Sequence, residues 1–272
     1  MNEQIPVDYV LYRLNETFQV KDIANSLVTA KDITEAMSIK SQKNFDRIPI
    51  KVNGKITSYY DFKLDSEKKI DPQQIISKCS GILETFSYLS RNDFYFILSG
   101  NDITHIVHYS DLNNQLVSLG IYAQITYCEL AIRNFARSKN PSNLDYGEKF
   151  LNDINKHQGV NINVSGAKKH FQVKKRLQTE TDLFDELYFD EELILFRALI
   201  KSGLDASKIE KFDQLINLED SKIKWMKDKR NEVMHSKPKI IKKQSDIIEW
   251  LKFLQDCQNI ISVIARNTEF YK

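Results

Sequence analysis

Apolar residues fall in short alternating runs over the first hundred-odd positions, and beyond Asn113 they settle into spacings of three and four. Arg47–Val52 (RIPIKV) and Lys55–Tyr60 (KITSYY) flank Asn53-Gly54, a pair that tolerates positive φ and so predicts a type I′ hairpin turn. Ahead of them, Ile33, Met37 and Ile39 have a brief helical spacing, with Asp32 or Thr34 as the N-terminal cap. The order then recurs. Ile75–Ser90 places Ile75, Ile76, Cys79, Ile82, Leu83, Phe86 and Leu89 on one broad helical face. Phe94–Leu98 (FYFIL), the turn Ser99-Gly100-Asn101-Asp102 and Ile103–Tyr109 (ITHIVHY) follow. Helix, strand, turn, strand thus appears twice, about 48 residues apart, as an internal repeat of a small α+β unit.

From Asn113 onward the strand pattern stops. Gln115–Lys139 carries Leu116, Leu119, Ile121, Tyr122, Ile125, Cys128, Leu130, Ile132 and Phe135 at helical spacing, and Pro141-Ser142 ends it. Further helices are predicted at about 146–157, 181–202, 206 to the 230s and 245–266, with Gly159–Gly166 as a loop or short extended piece. Lys237-Pro238 breaks the chain between the last two. The expected division is therefore an α+β domain over 1–112 and an all-α bundle over 113–272.

Composition narrows the class. With 272 residues the chain is long enough for two domains, and 8 Gly and 5 Pro are too few for a turn-dense all-β fold. No apolar run approaches the ~20 residues of a membrane span, and the start lacks the basic and apolar regions of a signal peptide. Cys79, Cys128 and Cys257 are far apart and in no metal-ligand spacing, which suits reduced thiols in the cytoplasm. The net charge of +2 says little, but it is unevenly held. Residues 1–112 hold 13 Lys+Arg against 15 Asp+Glu, net −2, and residues 113–272 hold 26 against 22, net +4.

The two repeats end alike. Ile56-Thr57-Ser58-Tyr59-Tyr60-Asp61-Phe62 matches Ile106-Val107-His108-Tyr109-Ser110-Asp111-Leu112, an apolar strand leading to a polar residue, two spacers and an Asp. With Val20-Lys21-Asp22-Ile23 and Arg47-Ile48-Pro49-Ile50, this resembles a tandem pair of CBS motifs. The resemblance implies a CBS-pair-like nucleotide-sensing domain that binds an adenine nucleotide of the ATP, ADP or AMP type between its halves as a regulatory ligand. It assigns Ser58 with Asp61, and His108 with Asp111, to phosphate and ribose contacts. The sequence departs from the family pattern at Lys55 and His105, where Gly usually opens the final strand, and at His108, where Ser or Thr is usual. Read without the family, Asp61 and Asp111 cap helices that follow them.

The sharpest short feature is Lys229-Arg230-Asn231-Glu232-Val233-Met234-His235. Cutting RNA without a metal needs a group to take the 2′-hydroxyl proton and a cation to hold the phosphate. Histidine and arginine suit those roles. Arg230 and His235 lie about 140° apart around a helix, so two motifs across a twofold axis bring them together more readily than one. Lys222, Lys224, Lys227 and Lys229 precede the motif and Lys237, Lys239, Lys242 and Lys243 follow it, a surface suited to tracking phosphates. Without further context, His235 is a helix-end residue complementing the dipole and the lysines are a solvated face.

An Arg-Asn pair followed by His at the end of a bundle helix, with the long opening helix and the stretch Leu183–Leu199, resembles the HEPN domain. That resemblance implies a metal-independent endoribonuclease that acts as a homodimer and leaves 2′,3′-cyclic phosphate and 5′-hydroxyl ends. It makes Arg230, Asn231 and His235 catalytic, leaves Lys227, Lys229, Lys237 and Lys239 to hold RNA, and suits a toxin or antiphage effector. A second basic patch, Lys168, Lys169, Lys174, Lys175 and Arg176, either guides RNA or is a solvated helix face, and the acidic run Asp185–Glu192 either pairs with such a patch across an interface or, the favoured reading, is a solvated face. His105 and His108 fall on opposite strand faces, and no P-loop, nucleophile elbow or zincin motif is present. Two other readings stay open: a non-catalytic nucleotide-sensing regulatory protein, and a protein that binds RNA without cutting it.

Overall fold

A computed structural model describes residues 13, 16–43, 45–140, 147–177, 181–203, 206–235 and 239–266. The chain forms two compact units, one from residues 12–120 and 238–251, the other chiefly from 121–237 and 252–272. No helix among the described residues is long and apolar enough to cross a membrane.

The first unit is α+β. Its elements are β1 (Asn25–Ser26), α1 (Ile33–Gln42), β2 (Arg47–Val52), β3 (Lys55–Asp61), β4 (Ser66–Lys69), β5 (Ile75–Ser77), α2 (Ile82–Leu89), β6 (Phe94–Ser99) and β7 (Asp102–His108). One sheet has the order β2-β3-β4 and the other β1-β7-β6-β5, with every pair antiparallel except β5 and β6. Asn53 and Gly54 have φ of 50° and 80°, as the type I′ reading requires. Asp32 caps α1 by accepting the Glu35 N–H at 2.8 Å.

The repeat is closer in the structure than in the sequence. Both hairpins have a six-residue strand, a two-residue turn and a seven-residue strand, offset by 47 residues throughout. Each carries a register shift at the same place, between Ile50 and Lys51 and between Ile97 and Leu98. Beside each first strand runs a parallel neighbour, a single bridge from Ala30 to Ile50 in one half and β5 in the other. This corrects the predicted helix over Ile75–Ser90. Ile75–Ser77 joins the sheet, and the helix starts only after Gly81, with Ile82, Leu83, Phe86 and Leu89 facing inward. Between the hairpins Tyr59, Phe94 and Phe96 make one buried cluster, with ring centroids 5.4–5.6 Å apart.

The returning segment completes this unit. Ile240, Ile241, Ile247 and Trp250 are buried. Asn113 donates to the Ile241 carbonyl at 2.8 Å and accepts its N–H at 2.9 Å, and Gln244 donates to the Leu89 carbonyl at 3.1 Å.

The second unit is helical. It contains most of α3 (Gln115–Lys139), then α4 (Glu148–Gln158), α5 (Val164–Arg176), α6 (Phe189–Ser202), α7 (Ala206–Leu215), α8 (Asp220–Met234) and the latter part of α9 (Gln244–Ala265). Its core gathers Ile125, Cys128, Ile132, Leu193, Phe196, Phe212, Met226, Phe253 and Ile260. Three expectations are corrected here. The loop predicted over Gly159–Gly166 ends at Asn163, whose side chain accepts the Gly166 N–H at 3.0 Å and starts α5. The helix predicted over 181–202 is a short 3-10 turn, Leu183–Glu186, capped by Asp182, followed by α6. The helix predicted from 206 into the 230s breaks between α7 and α8, where Arg197 donates to the Leu218 carbonyl at 2.7 Å.

Candidate functional site

In the first unit, the two hairpins bring a polar cluster together at their open ends. Register places Arg47 opposite Asp61 and Phe94 opposite His108. Arg47 Nε donates to Asp61 Oδ2 at 3.0 Å, its Nη1 reaches Asp93 Oδ2 at 3.0 Å, and its guanidinium lies 4.2 Å from the Phe94 ring centroid. His108 Nε2 stands 3.8 Å from the same Asp93 oxygen. The His108 imidazole and, after it, the Arg47 guanidinium hold Asp93 below the usual carboxylate range, against the opposing effect of burial.

Of the four nucleotide-binding candidates, Asp61 and His108 belong to this cluster and Ser58 and Asp111 are engaged elsewhere. Asp61 is almost wholly buried, and its other oxygen accepts the N–H groups of Lys63 and Leu64. It therefore closes a turn that leads into β4, rather than capping a helix. Ser58 is buried and donates to Glu67 of β4 at 2.6 Å. Asp111 accepts the His108 N–H at 2.8 Å and the Asn25 amide at 3.1 Å, and burial pushes its carboxyl above the usual range despite both.

The offset of 47 also corrects how the repeats match. His108, not Asp111, occupies the position of Asp61, and His105 occupies that of Ser58. Asp111 lies three residues beyond β7, in the 3-10 turn Tyr109–Asn113. Arg47 and Asp93 were missed in the sequence. The signal that finds Asp93 is its repeat partner Asp46: both stand immediately before a hairpin, and their carbonyls accept the N–H groups of Tyr109 and Phe62.

In the second unit, α8 carries the Arg230–His235 motif. Arg230 is partly exposed; its Nε donates to Glu129 Oε1 at 3.2 Å and its Nη1 approaches Asn231 Oδ1 at 3.4 Å. Asn231 is half-buried, and His235 is exposed at the helix's C-cap, with its N–H on the Asn231 carbonyl. Arg133 of α3 lies 3.9 Å from the other Glu129 oxygen and donates to Glu192 of α6 at 2.6 Å. A chain of alternating charge therefore runs Glu192, Arg133, Glu129, Arg230.

The predicted RNA-contacting lysines differ in availability. Lys227 is partly exposed but bonded to Asp190 at 2.7 Å, and Lys239 is exposed. Lys229 is buried beside Glu232 at 3.6 Å, so this arrangement does not offer its ammonium to a polynucleotide. Lys237 lies outside the described residues.

The acidic run is not a solvated face. Glu186, Glu191 and Glu192 are buried, and Asp185 bonds Arg137 at 2.6 Å. Lys174 of the second basic patch pairs with Glu186 at 2.8 Å, and Lys168 pairs with Glu148 at 2.8 Å. Among the described residues no group of three or more His, Cys, Asp or Glu is placed to hold a metal ion.

The sequence matches no protein-family model and no curated protein. Among solved structures, the chain is similar to the CBS domain of a bacterial CNNM/CorC family Mg2+ transporter in complex with ATP. Identity is 12%, 41% of this chain and 94% of that chain are covered, and the TM-score is 0.32. The same CBS domain in complex with the inhibitor IGN95a gives 12% identity over 41% of this chain and 82% of that one, again with a TM-score of 0.32.

Proposed function

We propose that this chain is a nucleotide-responsive ribonuclease, with a CBS-type pair in its first unit and a HEPN-type nuclease in its second. The observation that carries the nuclease half is the end of α8, where an exposed His235 follows a guanidinium, Arg230, that is fixed by Glu129 and still partly open. A fixed cation and a solvent-facing imidazole are the two groups that metal-free cleavage of RNA needs, and a second copy of the motif would bring one to the other.

In this reading His235 takes the 2′-hydroxyl proton and the freed oxygen attacks the adjacent phosphorus. The bond to the 5′-oxygen breaks, and that oxygen takes up a proton in turn, passed through solvent from the His235 imidazolium, which returns to its neutral form. Arg230 holds the charge that builds on the phosphate and Asn231 orients it. The ends are a 2′,3′-cyclic phosphate and a 5′-hydroxyl, and a homodimer sets two motifs face to face. Lys227 and Lys239 lead the backbone in.

The sensing half is supported by the duplicated hairpin and by Arg47, Asp61, Asp93 and His108 where its two copies meet. There Asp93, the more open carboxylate, accepts hydrogen bonds from the ribose hydroxyls of an ATP, ADP or AMP-type ligand, and Arg47 answers its phosphate. The test is to incubate the purified chain with structured RNA in EDTA, with and without each nucleotide, and to analyse the new ends. Nucleotide-dependent cleavage with cyclic phosphate ends, lost in His235→Ala, is the expected result; intact RNA under every condition refutes it.

A second reading, a sensor without chemistry, is favoured by the bonds Arg230 already makes to Glu129 and Asn231. Nucleotide binding with no effect on RNA supports it. A salt-dependent mobility shift with RNA left intact indicates a pure RNA binder.

A further inference from the structure

Among the described residues Glu192 is the most enclosed acid of the helical unit. It is 0% exposed; Oε1 accepts from Arg133 Nε at 2.6 Å, and Oε2 meets no hydrogen-bond partner among the described residues. A buried carboxylate with one oxygen unanswered is costly, whereas a neutral carboxyl can keep its proton on that oxygen and accept the guanidinium through the other. The charged and titratable groups facing it are Arg133, Glu129 and the Cys128 thiol from α3, and Arg230 from α8.

The spacing gives this acid a reach beyond its own partner. Arg133 stands between Glu192 and Glu129, and Glu129 stands between Arg133 and Arg230. With Glu192 neutral, Glu129 alone offsets two guanidiniums, and one positive charge is left over on the side of the chain that ends at Arg230. With Glu192 ionised, the four groups cancel.

We infer that Glu192 is a positioning residue for Arg230, acting through Arg133 and Glu129 to leave that surplus charge to a phosphodiester. This rests on the ribonuclease reading above. Burial, the largest influence, pushes the Glu192 carboxyl up to about 8; Glu129 adds to the rise, and Arg133 and Arg230 oppose it. The surplus is therefore present at neutral pH and is lost as the pH climbs through that value. The Cys128 thiol is itself held well above its ordinary value, first by its hydrogen bond to Cys257 and then by burial, so it stays neutral across the same range.

The test follows a fluorescent single-stranded RNA oligonucleotide by anisotropy in EDTA, using the full chain with His235→Ala so that the RNA survives. It compares that chain with the double variant His235→Ala, Glu192→Gln from about pH 7 to pH 9, every other group being shared. Affinity is expected to fall about tenfold over this range when Glu192 is present, and to stay level with Gln. Infrared difference spectra of wild type should show a protonated-carboxyl band that disappears over the same interval, a readout that needs neither RNA nor a second folded variant. Affinity that stays flat while the band disappears overturns the inference, as does a band that is missing at pH 7. RNA that neither protein holds at any pH overturns the ribonuclease reading and this inference with it, whatever the band does.

Discussion

Arg47 and Phe94 occupy the same position in the two hairpins, and they touch, the guanidinium 4.2 Å from the ring centroid. The repeat thus places a cation on one copy and a π-face on the other at the point where the copies meet. The same cation bonds Asp61 and Asp93, so one guanidinium is shared between a carboxylate from each half.

Arg47→Ala should therefore cost far more than a surface ion pair. It strips the charge partner from Asp61, whose side chain is only 4% exposed, and removal of one member of such a pair costs ~3–5 kcal/mol. Arg47→Lys should recover little of this, because an ammonium lacks the planar fork that serves two carboxylates and a ring. Urea unfolding of the three proteins measures both effects. Equal midpoints would show that Asp61 does not depend on Arg47.

Much of the first unit was legible because its signals are local. Asn53-Gly54 fixes a turn whatever surrounds it, and the alternation of RIPIKV and KITSYY fixes two strands. Ile75–Ser77 was not legible, since Ile75 and Ile76 fit a helical face as well as a strand, and only the distant Phe96–Leu98 decides between them. Matching Asp61 to Asp111 failed for a related reason. Sequence similarity paired the residues that look alike, whereas the shared register shift pairs Asp61 with His108.

In the second unit the motif at Arg230 and His235 was visible, but the acids behind it were not. Glu186 and Glu192 look solvated in a run of charge, and the cations that pair with them, Lys174 and Arg133, lie outside that run on other helices. Helix periodicity marks apolar faces and does not register a carboxylate that enters a core with its own cation.

His235→Ala should reduce RNA cleavage by ~100-fold or more while leaving the fold intact. The side chain is exposed at a helix end, where a substitution changes stability by ~0.5 kcal/mol or less. Cleavage in EDTA beside a thermal melt separates the two effects. Full cleavage by a well-folded variant would remove His235 from the mechanism.

Glu192→Gln should stabilise the chain in a pH-dependent way. The folded carboxyl titrates at about 8, against an ordinary value of 4.5, so between the two the unfolded chain has released a proton that the folded chain retains. Raising the pH through that interval weakens the wild-type fold by ~1.4 kcal/mol per pH unit, and Gln removes the dependence. Denaturant midpoints at several pH values between 5 and 8 should diverge steadily in favour of Gln. Parallel curves would mean that Glu192 ionises normally.

Thiol chemistry should distinguish the cysteines. Cys79 is exposed, Cys128 and Cys257 are buried, and the Cys128 thiol is held well above its ordinary value. A colorimetric disulfide reagent should therefore titrate one thiol in the native chain and all three after denaturation. Rapid labelling of all three without denaturant would contradict the burial of Cys128 and Cys257.

Gly147→Ala should destabilise the helical unit by ~1–3 kcal/mol. Gly147 has φ of +90°, and an added Cβ would lie 2.9 Å from the Phe184 ring. A drop in melting temperature measures it, and an unchanged melt would mean that the ring yields freely.

The returning segment 238–251 decides how the gene can be divided. A fragment that stops at residue 112 would keep both hairpins but forfeit Asn113, the peptide groups of Ile241 that it holds, and the buried Trp250. The complementary fragment would expose those same apolar side chains to water. Each piece expressed alone should therefore aggregate, whereas the two mixed during refolding should recover one another as complementing halves.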